Sequence, residues 1–206
     1  MEPDDRVVSS DDELLILVDG DDRQIGFLAK ADAHLGRGTL HRAFSLFVFN
    51  PAGELLVQQR AEGKRLWPGY WSNTCCSHPR HREAMDSAVR RRLKEELGLN
   101  ADLEFLFKFQ YRAQYDAQGA EHELCWVYAG RSAEVPRANV HEVAACATSR
   151  RRHCKPRSHA RLRPSHRGSS SHGRASRSPM HRCWVRRVRG STRSSSAVSS
   201  VSCHPG

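Results

Sequence analysis

The stretch "EAMDSAVRRRLKEELG", Glu83 to Gly98, decides the fold. Met85, Val89, Leu93 and Leu97 stand four residues apart and Gly98 follows as a stop signal, so the spacing predicts an amphipathic helix over Glu83 to Leu97. What lies on either side reads as strand. Upstream, Leu14 to Val18 and Ile25 to Ala29 flank the turn-rich "DGDDRQ" and predict a first hairpin. The strand formers from Ala43 to Phe49, the turn "NPAG" and "ELLVQQR" predict a second over Ala43 to Arg60. Downstream, "LEFLFKFQYR" and "HELCWVYAG" are joined by "YDAQGA" and predict a third pair. Strands, a helix, then strands make an α+β or α/β sandwich of about 140 residues, within the usual domain range.

Charge divides the chain. Through Glu142 it holds 18 Lys+Arg against 23 Asp+Glu, and from Val143 to Gly206 it holds 15 Lys+Arg and no acid. The net charge of +10 is therefore a property of the tail, and so is any inference of a nucleic-acid or anionic-membrane partner. The tail is rich in Arg, Ser, His and Pro, lacks apolar periodicity and is expected to be disordered from Cys146 to Gly206, leaving residues 1–145 as the folded domain. The acidic start, with apolar residues only from Leu14 to Val18, matches neither a signal peptide nor a membrane span, and a cytoplasmic protein is expected. Seven scattered cysteines, two of them adjacent, read as reduced thiols rather than a disulfide framework.

Several residues carry chemistry. Glu121 and Glu123, two apart on a strand, share one face of a sheet, and so do Cys76 and His78 in an extended segment. With His34 and His41 upstream, three histidines and two carboxylates make a mixed nitrogen and oxygen shell that suits Zn²⁺, Mn²⁺ or Fe²⁺. Taken singly, each is more often an ordinary polar residue. Glu95 and Glu96 close the helix, and Arg92 stands four before Glu96; this is ordinary surface pairing, or a Mg²⁺ site completed by a diphosphate. Lys30, Arg60 and Lys64 lie near the same loops and have the charge to neutralise that diphosphate. Between Cys75 and Cys76, spacing alone does not choose a reactive thiol.

Together "KADAH", "HRAFS", "QQRAEGKRLWPGYWSNTCCSHP", "RRRLKEELG" and "YRAQYDAQGAEHELC" resemble, from Leu14 to Val143, the type I isopentenyl-diphosphate isomerases, a branch of the Nudix fold. The resemblance implies an α/β/α sandwich with a mixed sheet. It also implies that His34, His41, His78, Glu121 and Glu123 ligate one Mn²⁺ or Zn²⁺, and that Cys76, two before the histidine and three after Asn73, is the catalytic thiol. Glu96 would bind Mg²⁺ with the substrate diphosphate, and Lys30, Arg60, Lys64 and Arg92 match anion-binding positions. Tyr111 matches a tyrosine beside the catalytic Glu123. The Nudix hydrolase pattern G-x5-E-x7-R-E-U-x-E-E-x-G-U is only partly kept: Ser77 replaces its first glycine, and Arg91-Arg92 replaces its central Arg-Glu. A carboxylate that hydrolases use to bind metal and activate water is thereby lost.

The reaction implied is the reversible 1,3 shift of a double bond from isopentenyl to dimethylallyl diphosphate in isoprenoid biosynthesis. An alkene is protonated and a proton is lost from the other end of the allylic system, which requires two groups on opposite walls: Cys76 and Glu123, with Tyr111 supporting proton movement. Carbocation character requires a dry pocket, and Trp71 is a candidate aromatic wall, though Trp67 and Trp71 also suit loop packing. The aromatic that the family places in its C-terminal part has no counterpart in context, since Trp184 lies within the basic tail, and the abrupt change of composition there reads as a shifted reading frame. The competing readings are a Nudix pyrophosphohydrolase and a protein that binds nucleic acid non-specifically through the tail. Oligomeric state is not legible.

Overall fold

The structure, a computed structural model, describes residues 6–149. The expected disorder and shifted frame of the basic tail after Ser149, and Trp184 within it, lie outside the described residues. In chain order the elements are β1 (Leu14–Val18), β2 (Gln24–Ala29), the one-turn α1 (Lys30–Ala33), β3 (His41–Phe49) and β4 (Leu55–Arg60). Then follow β5 (Trp71–Ser72), β6 (Cys75–Ser77), α2 (Met85–Leu97), β7 (Asp102–Asp116), β8 (Gly119–Arg131) and β9 (Val143–Ser149).

All three expected hairpins are present, and each has a local cause. The β1–β2 turn is set by Asp19, whose Oδ1 accepts the backbone N–H groups of Asp21 and Arg23, both at 2.9 Å. In the β3–β4 turn the Asn50 side chain accepts the Glu54 N–H at 2.9 Å and Gly53 supplies φ of 74°. Between β7 and β8, Asp116 accepts the Gln118 N–H at 2.6 Å. The helix ends where the sequence predicts, on Gly98 at φ 64° with its N–H on the Lys94 carbonyl. It begins two residues later than predicted because Glu83 is held in the preceding turn, where its carboxylate accepts the Arg80 N–H at 2.8 Å and bonds Arg91 at 2.6 and 2.8 Å.

Strand β3 is the hub of a mixed sheet. It pairs antiparallel with β1, β4 and β6, and parallel with β8 from His41↔Glu123 to Phe49↔Arg131. Alternation along β3 sends Phe44, Leu46 and Val48 to one face, where they pack with Val89, Leu93 and Leu97 of α2. Each such side chain contributes about 1.5–3 kcal/mol by burial. The opposite face carries His41 and Ser45 at one end and Phe47 at the other, packed with Cys125, Val127 and Phe109. Among the described residues, α2 is the only helix longer than one turn, so the second helical layer of the expected sandwich is not among them. β9 corrects the expected boundary at Cys146: Cys146 to Ser149 pair with Leu55 to Gln58 of β4, because the ladder of a central strand satisfies their backbone groups despite their weak apolar content. Among the described residues no helix is long and apolar enough to cross a membrane, and Cys75, Cys76, Cys125 and Cys146 are free thiols.

Candidate active site

The parallel register of β3 and β8 places His41 beside Glu123, on the face away from α2. His78 follows β6 on the other flank of β3, and His34 follows α1. One ligand atom from each of His34, His41, His78 and Glu123 lies within 4.8 Å of all the others. The ring orientations are fixed from outside: His34 Nδ1 is 2.7 Å from the Lys30 carbonyl and His41 Nδ1 is 2.8 Å from that of Thr39. Both carbonyls are acceptors, so the Nδ1 atoms carry the protons and the Nε2 lone pairs turn inward. His34 is itself seated by the β7–β8 turn, since its carbonyl accepts the Ala120 N–H and any Cβ on Gly119 would collide with that oxygen.

His41 Nε2 lies 3.1 Å from His78 Nε2, and Glu123 Oε1 lies 3.8 and 3.5 Å from the two nitrogens. Burial, then the neighbouring His34, holds the His41 imidazole down to about 3. Burial, then His41, holds His78 well below its usual range, and burial also lowers His34. Neutral imidazoles with convergent lone pairs, joined by a carboxylate, form a donor set that fits a divalent metal ion. Of the five ligands expected from the sequence, Glu121 stands apart from the four-residue cluster. Its Oε2 is 2.9 Å from the Tyr111 hydroxyl, which also lies 2.7 Å from Glu123 Oε2. Burial, then the charge of Glu121, pushes the Glu123 carboxyl well above the usual carboxylate range.

A cavity of about 750 Å³ opens beside this cluster. Lys30, Arg60, Lys64, Arg92, Cys76, His78, Glu121 and Glu123, all expected from the sequence, line it. Each cation is tethered: Lys30 to the Ser9 hydroxyl, Arg60 Nε to the Leu66 carbonyl at 3.1 Å, Lys64 to Glu142, and Arg92 to the Val8 carbonyl at 2.9 Å. Glu96 is not on the cavity wall. It is 2% exposed and committed to Arg92 at 2.6 Å and Gln58 at 3.2 Å. Trp67 and Trp71 are not on the wall either; Trp67 packs on Tyr115 with ring centroids 5.2 Å apart, which corrects the reading of Trp71 as an aromatic wall and agrees with loop packing for Trp67.

Strand alternation separates the adjacent cysteines. Cys75 faces α2 within the core, while Cys76 lines the cavity. Burial pushes the Cys76 thiol up to about 12, against hydrogen bonds with Ser45 and Asn73 that pull it down. Its sulfur is 2.9 Å from Asn73 Oδ1 and 3.1 Å from Ser45 Oγ. Sequence reasoning did not find Ser45 or Glu142. Ser45 sits in an apolar strand, and its only signal was a hydroxyl at an otherwise buried position. Glu142 follows the fold by 45 residues from Leu97 and meets Lys64 and Arg92 only in space, with Arg92 Nη2 at 3.3 Å.

A family model for the NUDIX domain matches residues 39–167. The "Isopentenyl-diphosphate Delta-isomerase 1" of Photorhabdus laumondii is 50% identical over 135 residues, which is 65% of this chain and 77% of the relative. The "Isopentenyl-diphosphate Delta-isomerase" of Burkholderia multivorans is 51% identical over 134 residues, 65% of this chain and 76% of the relative. A crystal structure of DR0079 from Deinococcus radiodurans shares the fold, with a TM-score of 0.54 and 23% identity over 66% of this chain and 82% of that one. At half identity over three quarters of such relatives, and with a NUDIX domain model matching more than half of its length, the chain belongs to the Nudix family and, within it, to the isopentenyl-diphosphate Delta-isomerases.

Proposed function

We propose that this chain interconverts isopentenyl and dimethylallyl diphosphate, with Cys76 and Glu123 as the proton-transferring pair. The observation that supports this most is that one cavity is lined by a half-buried thiol, a buried carboxyl and four cations. Cys76 comes from β6 and Glu123 from β8, which flank β3 on either side, so the two groups reach the one cavity from different strands. A thiol held up to about 12 is protonated near neutral pH and so has a proton to exchange with an alkene carbon, while burial and the neighbouring Glu121 raise the Glu123 carboxyl above its usual range and make it a stronger base when ionised. The Tyr111 hydroxyl, within reach of both Glu121 and Glu123, relays protons between the carboxyl groups.

Lys30, Arg60, Lys64 and Arg92 hold the diphosphate and leave the hydrocarbon end toward Cys76 and Glu123. His34, His41, His78 and Glu123 would hold Mn²⁺ or Zn²⁺, with Glu121 adjusting Glu123 through Tyr111. When bound, such an ion supplies positive charge that fixes and polarises its carboxylate ligand. Mg²⁺ would accompany the diphosphate. Its ligation by Glu96 requires Arg92 to swing aside, since Arg92 lies between Glu96 and the cavity. The catalytic unit extends through β9 to Ser149, and a diphosphate-binding enzyme of this kind fits a cytoplasmic setting.

Arg92 also argues against hydrolysis, because it stands where the hydrolase pattern has a glutamate and is bonded to Glu96. The test is to incubate the full chain with Mg²⁺, Mn²⁺ and isopentenyl diphosphate in D₂O. Deuterium in a dimethylallyl product is expected; absence of both product and exchange overturns the proposal, and release of phosphate would favour hydrolysis.

A further inference from the structure

Ser45 lies in the middle of β3, 1% exposed, between the apolar residues Phe44 and Leu46. Its hydroxyl is 3.1 Å from the Cys76 sulfur, and the Cys125 sulfur is 3.4 Å away on its other side. β6 places Cys76 directly opposite Ser45 in the antiparallel ladder, so the contact follows from register rather than from a flexible side chain.

The direction of these bonds can be worked out. Asn73 Nδ2 donates to the carbonyls of Leu46 at 3.0 Å and Cys75 at 3.1 Å, which fixes the amide and turns Oδ1, an acceptor only, toward Cys76. The single proton of Cys76 therefore goes to Asn73 Oδ1 in the resting arrangement. With that proton used, the contact with Ser45 has to be donated by the Ser45 hydroxyl, whose lone pair in turn accepts from Cys125. Ser45 thus donates to the sulfur whichever way the thiol proton points. Asn73 does not, because its bond is lost when that proton turns to the cavity.

We propose that Ser45 is a positioning residue for Cys76, holding its sulfur at the cavity wall while the thiol proton moves between Asn73 and the substrate. The proposal rests on the reading of Cys76 as a proton-transferring group. A sulfur released from Ser45 gains freedom of about an ångström, a misplacement that typically costs on the order of 100-fold in rate.

Steady-state kinetics of the full chain, with Ser45→Ala, Ser45→Thr and Cys125→Ala compared with wild type, test it. Ser45→Ala is expected to lower kcat by roughly 10- to 100-fold with KM for isopentenyl diphosphate and the Kd for inorganic pyrophosphate unchanged. Ser45→Thr, which keeps the hydroxyl, should restore most of kcat. Cys125→Ala, which does not touch Cys76, should stay within about 3-fold. Wild-type kcat in Ser45→Ala overturns the proposal. So does a rise in KM and Kd that accounts for the loss, or a loss in Cys125→Ala as large as in Ser45→Ala. An inactive wild type overturns the isomerase reading first and this proposal with it, and is distinguishable because no variant series is then needed.

Discussion

The two faces of the central sheet treat the same residue type in opposite ways. On the α2 face, Cys75 is one more apolar filler among Phe44, Leu46, Leu93 and Leu97. On the other face, one residue later, Cys76 meets Ser45, Asn73 and a cavity that also contains His78 and Glu123. Burial raises both thiols, although Cys75 is fully buried and Cys76 only half-buried. What separates them is the surroundings: apolar side chains on one face, and partners able to accept or deliver a proton on the other. Charge is handled across the two faces by one residue, since Arg92 pairs with the buried Glu96 and also lines the cavity beside Lys30, Arg60 and Lys64.

The largest expected break in this comparison comes from exchanging the cysteines' fates. Cys76→Ala should lower kcat/KM by at least about 10³-fold, whereas Cys75→Ala should leave turnover within a few-fold and lower unfolding free energy by roughly 1 kcal/mol. Product formation and urea melts on both variants check it. Next in size is the α2 face itself: Leu93→Ala, at a fully buried position, should cost about 2–5 kcal/mol in a urea melt while the folded fraction keeps its turnover.

On the cavity face, Glu123→Gln should reduce bound metal, measured by elemental analysis of the purified chain, by about 10- to 100-fold in affinity, and Glu121→Gln by less, because Glu121 stands outside the four-residue cluster. Equal losses would return Glu121 to the ligand set. The smallest effect is expected at the edge of α2. Burial opposes ionisation of Glu83, but its bonds from Arg91 and Arg80 outweigh that and leave its carboxyl below the ordinary value of 4.5. A depressed carboxyl stabilises the fold fully above that ordinary value, and the contribution is lost as pH falls through the lower folded value. Glu83→Gln should therefore cost about 1 kcal/mol at pH 7 and progressively less below pH 4.5, followed by thermal melts across pH.

Much of the fold was legible because its signals are local. The four-residue apolar spacing of α2, the Gly98 stop and the turns at Asp19, Asn50 and Asp116 each act within a few residues of where they are read. β9 was not legible: "VAACATS" has little apolar alternation, and it becomes a strand because β4 offers it a ladder. β5 and β6 are too short to show a period. In the site, His34, His41, His78, Glu123 and Cys76 were legible through their spacing and the family resemblance, and all converge. Ser45 and Glu142 were missed because their partners are 31 residues away in Cys76 and 78 residues away in Lys64.

The sequence by itself determined which residues alternate along the longer strands, where the chain turns, and that Cys76 and His78 share a face if their segment is extended. Only the tertiary structure decided which face was which. Side-chain alternation is a property of one strand, but whether a face is core or cavity depends on what packs against it, and α2 covers the side of Cys75 and leaves Cys76 at the cavity wall.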